Sequence, residues 1–206
     1  MRTETRRMMM AGKGLPSEYE RLEYIENTST AYINTGIDAS HFDKVYCKVV
    51  RVAITGDWDT IWGTRIRNNN NARSLIVNSS GMFWFNHNTY DAVSAIPCVL
   101  GETYETLYEN GKYTINGQTV IAAGGNPQNT NPCYVFVGNS TLSNPPGTSG
   151  NFYAKAKIFD FKMYKGETML LSLIPAKRKA DGTIGMYDLV GRKFYTSPNG
   201  AEFTGG

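Results

Sequence analysis

The stretch Leu107-Tyr108-Glu109-Asn110-Gly111-Lys112-Tyr113-Thr114-Ile115-Asn116-Gly117-Gln118-Thr119-Val120 decides how the rest of the chain is read. Two Asn-Gly pairs bracket the short apolar-polar segment Lys112 to Ile115. Asn followed by Gly accepts the positive φ values required at both central positions of a type I′ turn. That turn matches the right-handed twist of the strands it joins. The spacing therefore predicts two consecutive hairpins, with strands before Asn110, between the two turns, and after Gly117.

Outward from this centre, short runs of β-branched and aromatic residues alternate with turn signals. They include Leu22-Glu23-Tyr24-Ile25-Glu26, Ala31-Tyr32-Ile33-Asn34-Thr35, residues 44–54 with Val45, Tyr46, Val49, Val50 and Val52, and Met82-Phe83-Trp84-Phe85-Asn86-His87. Residues 103–108, 152–164 and 169–175 continue the series. Segments 124–132 and 140–150, rich in Gly, Pro, Asn, Ser and Thr, read as loops, as does Asn68-Asn69-Asn70-Asn71. A period near two with regular breaks predicts an all-β protein, an antiparallel two-sheet β-sandwich of the jelly-roll kind. No amphipathic helix and no long internal repeat is visible. Residues 15–206 are expected to form one domain and residues 1–14 a flexible or partner-docking arm, with Arg2, Arg6, Arg7, Met8, Met9 and Met10 as its candidate docking residues.

Composition agrees. Of 206 residues, 19% are charged, 21 are Gly, 13 are Tyr, and 12% are aromatic. Charge this sparse, against roughly 25% in average soluble domains, excludes a long-helix or coiled-coil protein. The aromatic load excludes a disordered chain. No apolar run is long enough for a membrane-spanning helix. The balance of 21 basic and 18 acidic residues leaves a net charge of +3, too little to argue for nucleic acid or membrane partners. Cys47, Cys98 and Cys133 are far apart and lie in strand-like surroundings, so they read as buried free thiols. Near the start, Met8-Met9-Met10-Ala11 is too short for the apolar core of a signal peptide. The expectation is a protein without an export signal.

Three stretches together resemble a known superfamily. They are Leu22–Glu26 with Tyr32-Ile33-Asn34-Thr35-Gly36-Ile37, the twin Asn-Gly hairpins, and the C-terminal run. In that run, Ile158, Phe161 and Tyr164 are followed by Ile174-Pro175-Ala176-Lys177-Arg178 and Tyr187-Asp188. The pattern resembles the concanavalin A-like lectin/glucanase superfamily, in particular its laminin-G-like jelly-roll modules of bacteriophage structural proteins and gut-bacterial surface proteins. The resemblance implies a non-enzymatic virion structural or capsid decoration protein, with glycan adhesion as an added role. It would be made in a host cytoplasm and carried on the virion. The alternative is a carbohydrate-binding adhesion module of a bacterial surface protein. Implied partners are other virion proteins or surface glycans, and a homo-oligomer is compatible with either.

Chemistry narrows the choice. Hydrolases of this superfamily resemble a strand carrying Glu-x-Asp-x-Glu, whose alternation places the carboxylates on one face. No such run occurs here, nor does a Gly-x-Ser-x-Gly elbow or a phosphate-binding Gly-rich loop. A divergent glycan-cleaving enzyme is therefore disfavoured. Sugars are gripped by aromatic faces and by side-chain hydroxyl, amide and carboxylate groups. The candidates are Trp58 and Trp62 near one loop, and Trp84, Asn86 and His87 on one strand. Within that strand Phe83 and Phe85 face one way, Trp84 and Asn86 the other. Core packing is the competing reading for each tryptophan. No cofactor is expected. Asp57 and Asp59 are the weak candidates for a Ca²⁺ site, since two nearby carboxylates fall short of the ion's usual oxygen shell, and a solvated turn is the competing reading.

Overall fold

The computed structural model describes residues 14–56, 58–66, 70–121, 125, 127–140 and 153–206. Among these, every regular element is a strand. In chain order they begin with β1 (Tyr19–Arg21), β2 (Ile25–Glu26), β3 (Ile33–Asp38), β4 (Lys44–Ala53), β5 (Trp58–Ile66) and β6 (Asn70–Asn78). Next come β7 (Met82–Asn88), β8 (Tyr90–Pro97), β9 (Thr103–Glu109), β10 (Lys112–Ile115), β11 (Gln118–Ile121) and β12 (Pro132–Val135). The series closes with β13 (Gly138–Ser140), β14 (Lys155–Lys165), β15 (Thr168–Arg178), β16 (Ile184–Asp188), β17 (Lys193–Tyr195) and β18 (Thr204–Gly205).

These strands make two sheets. The larger runs β11-β10-β9-β4-β14-β15-β16-β17, and the smaller runs β3-β12-β5-β6-β7-β8. Pairing is antiparallel throughout, apart from β13 beside β5 and a single parallel bridge from Thr60 to Tyr153. The predicted hairpins are present. Asn110 and Gly111 have φ of 48° and 84°, Asn116 and Gly117 of 46° and 81°, and Tyr113 pairs with Tyr108 on one side and Val120 on the other. Of the expected strand at 22–26 only Ile25–Glu26 is a strand, β2, and β1 precedes the stretch at Tyr19–Arg21. Beyond Phe161 and Leu173 the long strands β14 and β15 separate, and β1, β2 and β18 fill the gap between them.

Alternation along each strand buries one face of each sheet against the other. In β4, Val45, Cys47, Val49 and Arg51 point inward, while Lys44, Tyr46 and Lys48 face solvent. The core between the sheets extends from Ile25 to Phe203 and is unusually aromatic. Trp62 packs on Phe42, Tyr108 and Tyr113, and Phe85 packs on Tyr113 with ring centroids 4.4 Å apart. Tyrosines can sit this deep because their hydroxyls find partners. Tyr113 Oη lies 2.7 Å from the Asn86 carbonyl oxygen and 3.1 Å from that of Ser74. Cys47, Cys98 and Cys133 are buried and unbridged, and burial pushes all three thiols up, Cys98 to about 12. Among the described residues no helix is long and apolar enough to cross a membrane.

Candidate functional site

The outer face of the smaller sheet carries two side-chain rows that follow from strand register. One row runs Thr60–Ile76–Trp84–Val93 across β5, β6, β7 and β8. The next runs Gly63–Ser74–Asn86–Asp91. The first row is apolar beyond Thr60; Thr60 and Ile76 are buried, and the row opens to solvent toward its far end, where Val93 is 50% exposed. Trp58, at the start of β5, leans onto Trp84 with ring centroids 4.6 Å apart and planes at 76°. Both indoles are partly exposed. The Trp84 Nε1–H is buried against its neighbours without a hydrogen-bond acceptor among the described residues.

The second row is polar and linked. Ser74 Oγ donates to Asn86 Oδ1 at 2.6 Å, and Asn86 Nδ2 donates to the Asp91 carboxylate. Gly63 lets Ser74 approach, because a Cβ at Gly63 would collide with Ser74 Cβ. Burial draws the Arg65 guanidinium below its ordinary pKa, and the carboxylate of Asp91 opposes that shift. An aromatic corner thus stands beside a polar row in which the Ser74 hydroxyl and the Asn86 amide are buried and the Asp91 carboxylate is exposed.

The structure separates the residues singled out from sequence. Trp58, Trp84 and Asn86 come together on this face, although Asn86 is nearly closed over by its own hydrogen bonds. Trp62 does not join them: it is 1% exposed and fills the core. The cause is a bulge between Thr60 and Trp62, which turns Trp62 inward opposite Leu75. His87 also lies inside, on the Phe83–Phe85 side of β7. Its Nε2–H donates to the Gly125 carbonyl at 2.8 Å, and its Nδ1 accepts from the Tyr108 hydroxyl at 2.9 Å. Burial lowers the His87 pKa, the Gly125 carbonyl opposes this, and nearby Arg73 adds to the lowering. Ser74, Ile76, Asp91 and Val93 were not singled out from sequence. Alternation through residues 70–78 and 90–97 is the signal that would have found them.

Asp59 is not on a solvated turn. It lies in β5 pointing into the core, where it accepts from Arg51 and from the amide and hydroxyl of Thr55. Both its oxygens are engaged, which leaves it ill suited to Ca²⁺. Asp57 lies outside the described residues, as do Arg2, Arg6, Arg7, Met8, Met9 and Met10. Among the described residues no group of three or more His, Cys, Asp or Glu is placed to hold a metal ion.

Among the described residues, two open grooves lie elsewhere. One, about 490 Å³, runs between the β15–β16 turn and the C-terminal segment, past Arg178, Thr183, Ser197 and Phe203. The other, about 510 Å³, crosses the outer face of the larger sheet between Arg21, Tyr46, Lys48, Glu105 and Phe159. On that face the lysines are largely neutralised by their own neighbours: Lys44 pairs with Glu109, Lys157 with Glu26, and Lys162 with Asp160. It therefore offers little net charge to a partner.

No protein-family model and no curated protein matches the sequence. In structure, the chain is similar to a Bacteroides ovatus protein proposed to bind carbohydrate. The TM-score is 0.58 at 14% identity, and the match covers 90% of this chain and 60% of that one. Domains LG4-5 of the mouse laminin α1 chain also align, with a TM-score of 0.43 at 12% identity over 87% of this chain and 49% of that one. The chain spans less than two thirds of the length of either. At such identity the likeness is one of fold, and that fold is the antiparallel two-sheet β-sandwich expected from the hairpins and strand alternation.

Proposed function

We propose that the chain is a non-enzymatic carbohydrate-binding module and that the outer face of its smaller sheet is the binding platform. The observation that carries this reading is the Trp58–Trp84 corner set directly beside the Ser74–Asn86–Asp91 row. An indole offers its face to the C–H surface of a sugar, while Asp91, at the exposed end of the adjacent row, offers its carboxylate to hydroxyls. The similar Bacteroides ovatus protein, proposed to bind carbohydrate, supports the same class of ligand. Asp91 accepts from the Asn86 amide, and its charge acts on the Arg65 guanidinium. Hydrolysis would need a second carboxylate facing the same bond. A glycan array tests the proposal, with Trp58→Ala and Trp84→Ala beside the wild type. Binding that both substitutions weaken is the expected outcome.

We further propose that the module works on a phage particle, as a structural or decoration protein in contact with other virion proteins. The support is the C-terminal pattern that resembles phage modules. Ile174–Arg178 and Tyr187–Asp188 lie on paired strands, where Ile174, Ala176 and Tyr187 form an outer cluster with Leu15, Tyr19 and Phe194. Mass spectrometry of purified particles tests this placement, against recovery of the chain from a bacterial cell surface.

A further inference from the structure

The angle between Trp58 and Trp84 restricts the kind of carbohydrate the platform can take. Adhesion to the flat face of a crystalline polysaccharide needs aromatic rings that are coplanar, because each ring must lie parallel to one layer of sugar rings. Here the planes meet at 76°, and with centroids only 4.6 Å apart the edge of one indole rests on the face of the other. No single plane touches both faces. What remains is a corner, with Trp84 and Val93 in one row and Trp58 standing against it.

The corner is also short. Asn86 follows Trp84 by two positions on the same face, a displacement of roughly 7 Å along the strand. That is close to the span of one sugar ring, so the polar row begins where a single pyranose seated on the indole would end. Asp91, exposed and opposite Asn86, is placed to accept from its hydroxyls. A chain lying flat and continuing across the corner would run into the upright ring.

We infer that the site takes one pyranose at the tip of a soluble or surface-attached glycan, and that it does not take the face of a crystalline polysaccharide. This rests on the carbohydrate-binding reading above. The experiment titrates the full chain with cello-, xylo-, manno- and galacto-oligosaccharides of one to six units and with the tip sugars of a glycan array. It also mixes the chain with microcrystalline cellulose and with chitin. The expected result is affinity nearly complete at the disaccharide, changing less than about threefold up to the hexasaccharide. Trp84→Ala should weaken binding by about tenfold, equivalent to about 1.4 kcal/mol, and the protein should stay in solution over both crystalline polymers. Trp84→Phe, which keeps a smaller ring, serves if the alanine variant does not fold, and should show an intermediate loss. Sedimentation with cellulose or chitin, or affinity that climbs steadily with chain length, overturns the inference while leaving carbohydrate binding intact. Silence toward every soluble and insoluble sugar overturns the carbohydrate reading, and this inference with it.

Discussion

Arg51 of β4 and Asp59 of β5 form an ion pair wholly enclosed between the two sheets, both side chains at 0% exposure. The pair joins the larger sheet to the smaller one. Through the amide and hydroxyl of Thr55, Asp59 also anchors the turn that leads into Trp58, and the Thr55 hydroxyl oxygen lies 3.0 Å from the Tyr153 carbonyl oxygen. Arg51 Nε and Nη1 are buried without acceptors among the described residues. Such a pair adds little net stability over a well-packed apolar pair, but losing one partner strands a charge. Asp59→Ala is therefore expected to lose about 3–5 kcal/mol in urea unfolding, and the double variant Arg51→Met/Asp59→Leu to recover most of that loss. A double variant as unstable as the single one would contradict this account.

The same anchor leads into the Trp58–Trp84 corner. Thr55→Val removes one hydroxyl hydrogen bond and is expected to cost about 1–2 kcal/mol. It should also shrink the exciton-coupled circular dichroism band of the Trp58–Trp84 pair, which reports the angle between two close indoles. The check is the spectrum of Thr55→Val beside those of Trp58→Phe and Trp84→Phe. A band unchanged in Thr55→Val would show that Trp58 is held by other contacts.

His87 is expected to make stability depend on pH. Its folded pKa is lowered from the ordinary 6.5, chiefly by burial, so between the two values the unfolded chain binds a proton that the folded chain does not. Stability contributed by neutral His87 is fully present above 6.5. It is lost progressively as pH falls through 6.5 toward the folded pKa, below which the slope from this group vanishes. Melting temperatures across this window should fall with pH in the wild type and flatten in His87→Gln. A parallel decline in both would assign the effect to other groups.

The twin hairpins offer a matched pair of glycines. Gly111 and Gly117 have nearly the same positive φ, 84° and 81°. A Cβ at Gly117 meets nothing within 4 Å, whereas one at Gly111 would sit 3.0 Å from Cδ2 of the His87 ring. Gly117→Ala should cost about 1–2 kcal/mol from backbone strain alone. Gly111→Ala should cost more, and should also alter the pH slope that His87 produces. Equal losses would mean that the ring gives way freely.

Much of the sandwich was legible because its turns and alternation are local properties. Asn110-Gly111 and Asn116-Gly117 dictate their own φ values, and Phe83, Trp84, Phe85 and Asn86 separate by parity alone. Parity also places His87 with Phe83 and Phe85, so its burial could have been read from the strand. Trp62 could not. Counting by twos from Trp58 puts it outward, and only the bulge after Thr60 reverses it, a feature set by pairing with β6. Asp59 looked like a solvated acid because its partner, Arg51, reaches it from a strand of the other sheet. The Ser74–Asn86–Asp91 row likewise exists only once β6, β7 and β8 are in register.

The most direct test of the central claim uses the three tryptophans as reporters. Indole N–H resonances are assigned and followed while the chain is titrated with the tightest-binding glycan of the array. The account predicts that the Trp58 and Trp84 signals move with a common saturation curve, while Trp62, sealed in the core, stays in place. Saturable binding that leaves Trp58 and Trp84 unmoved would contradict it.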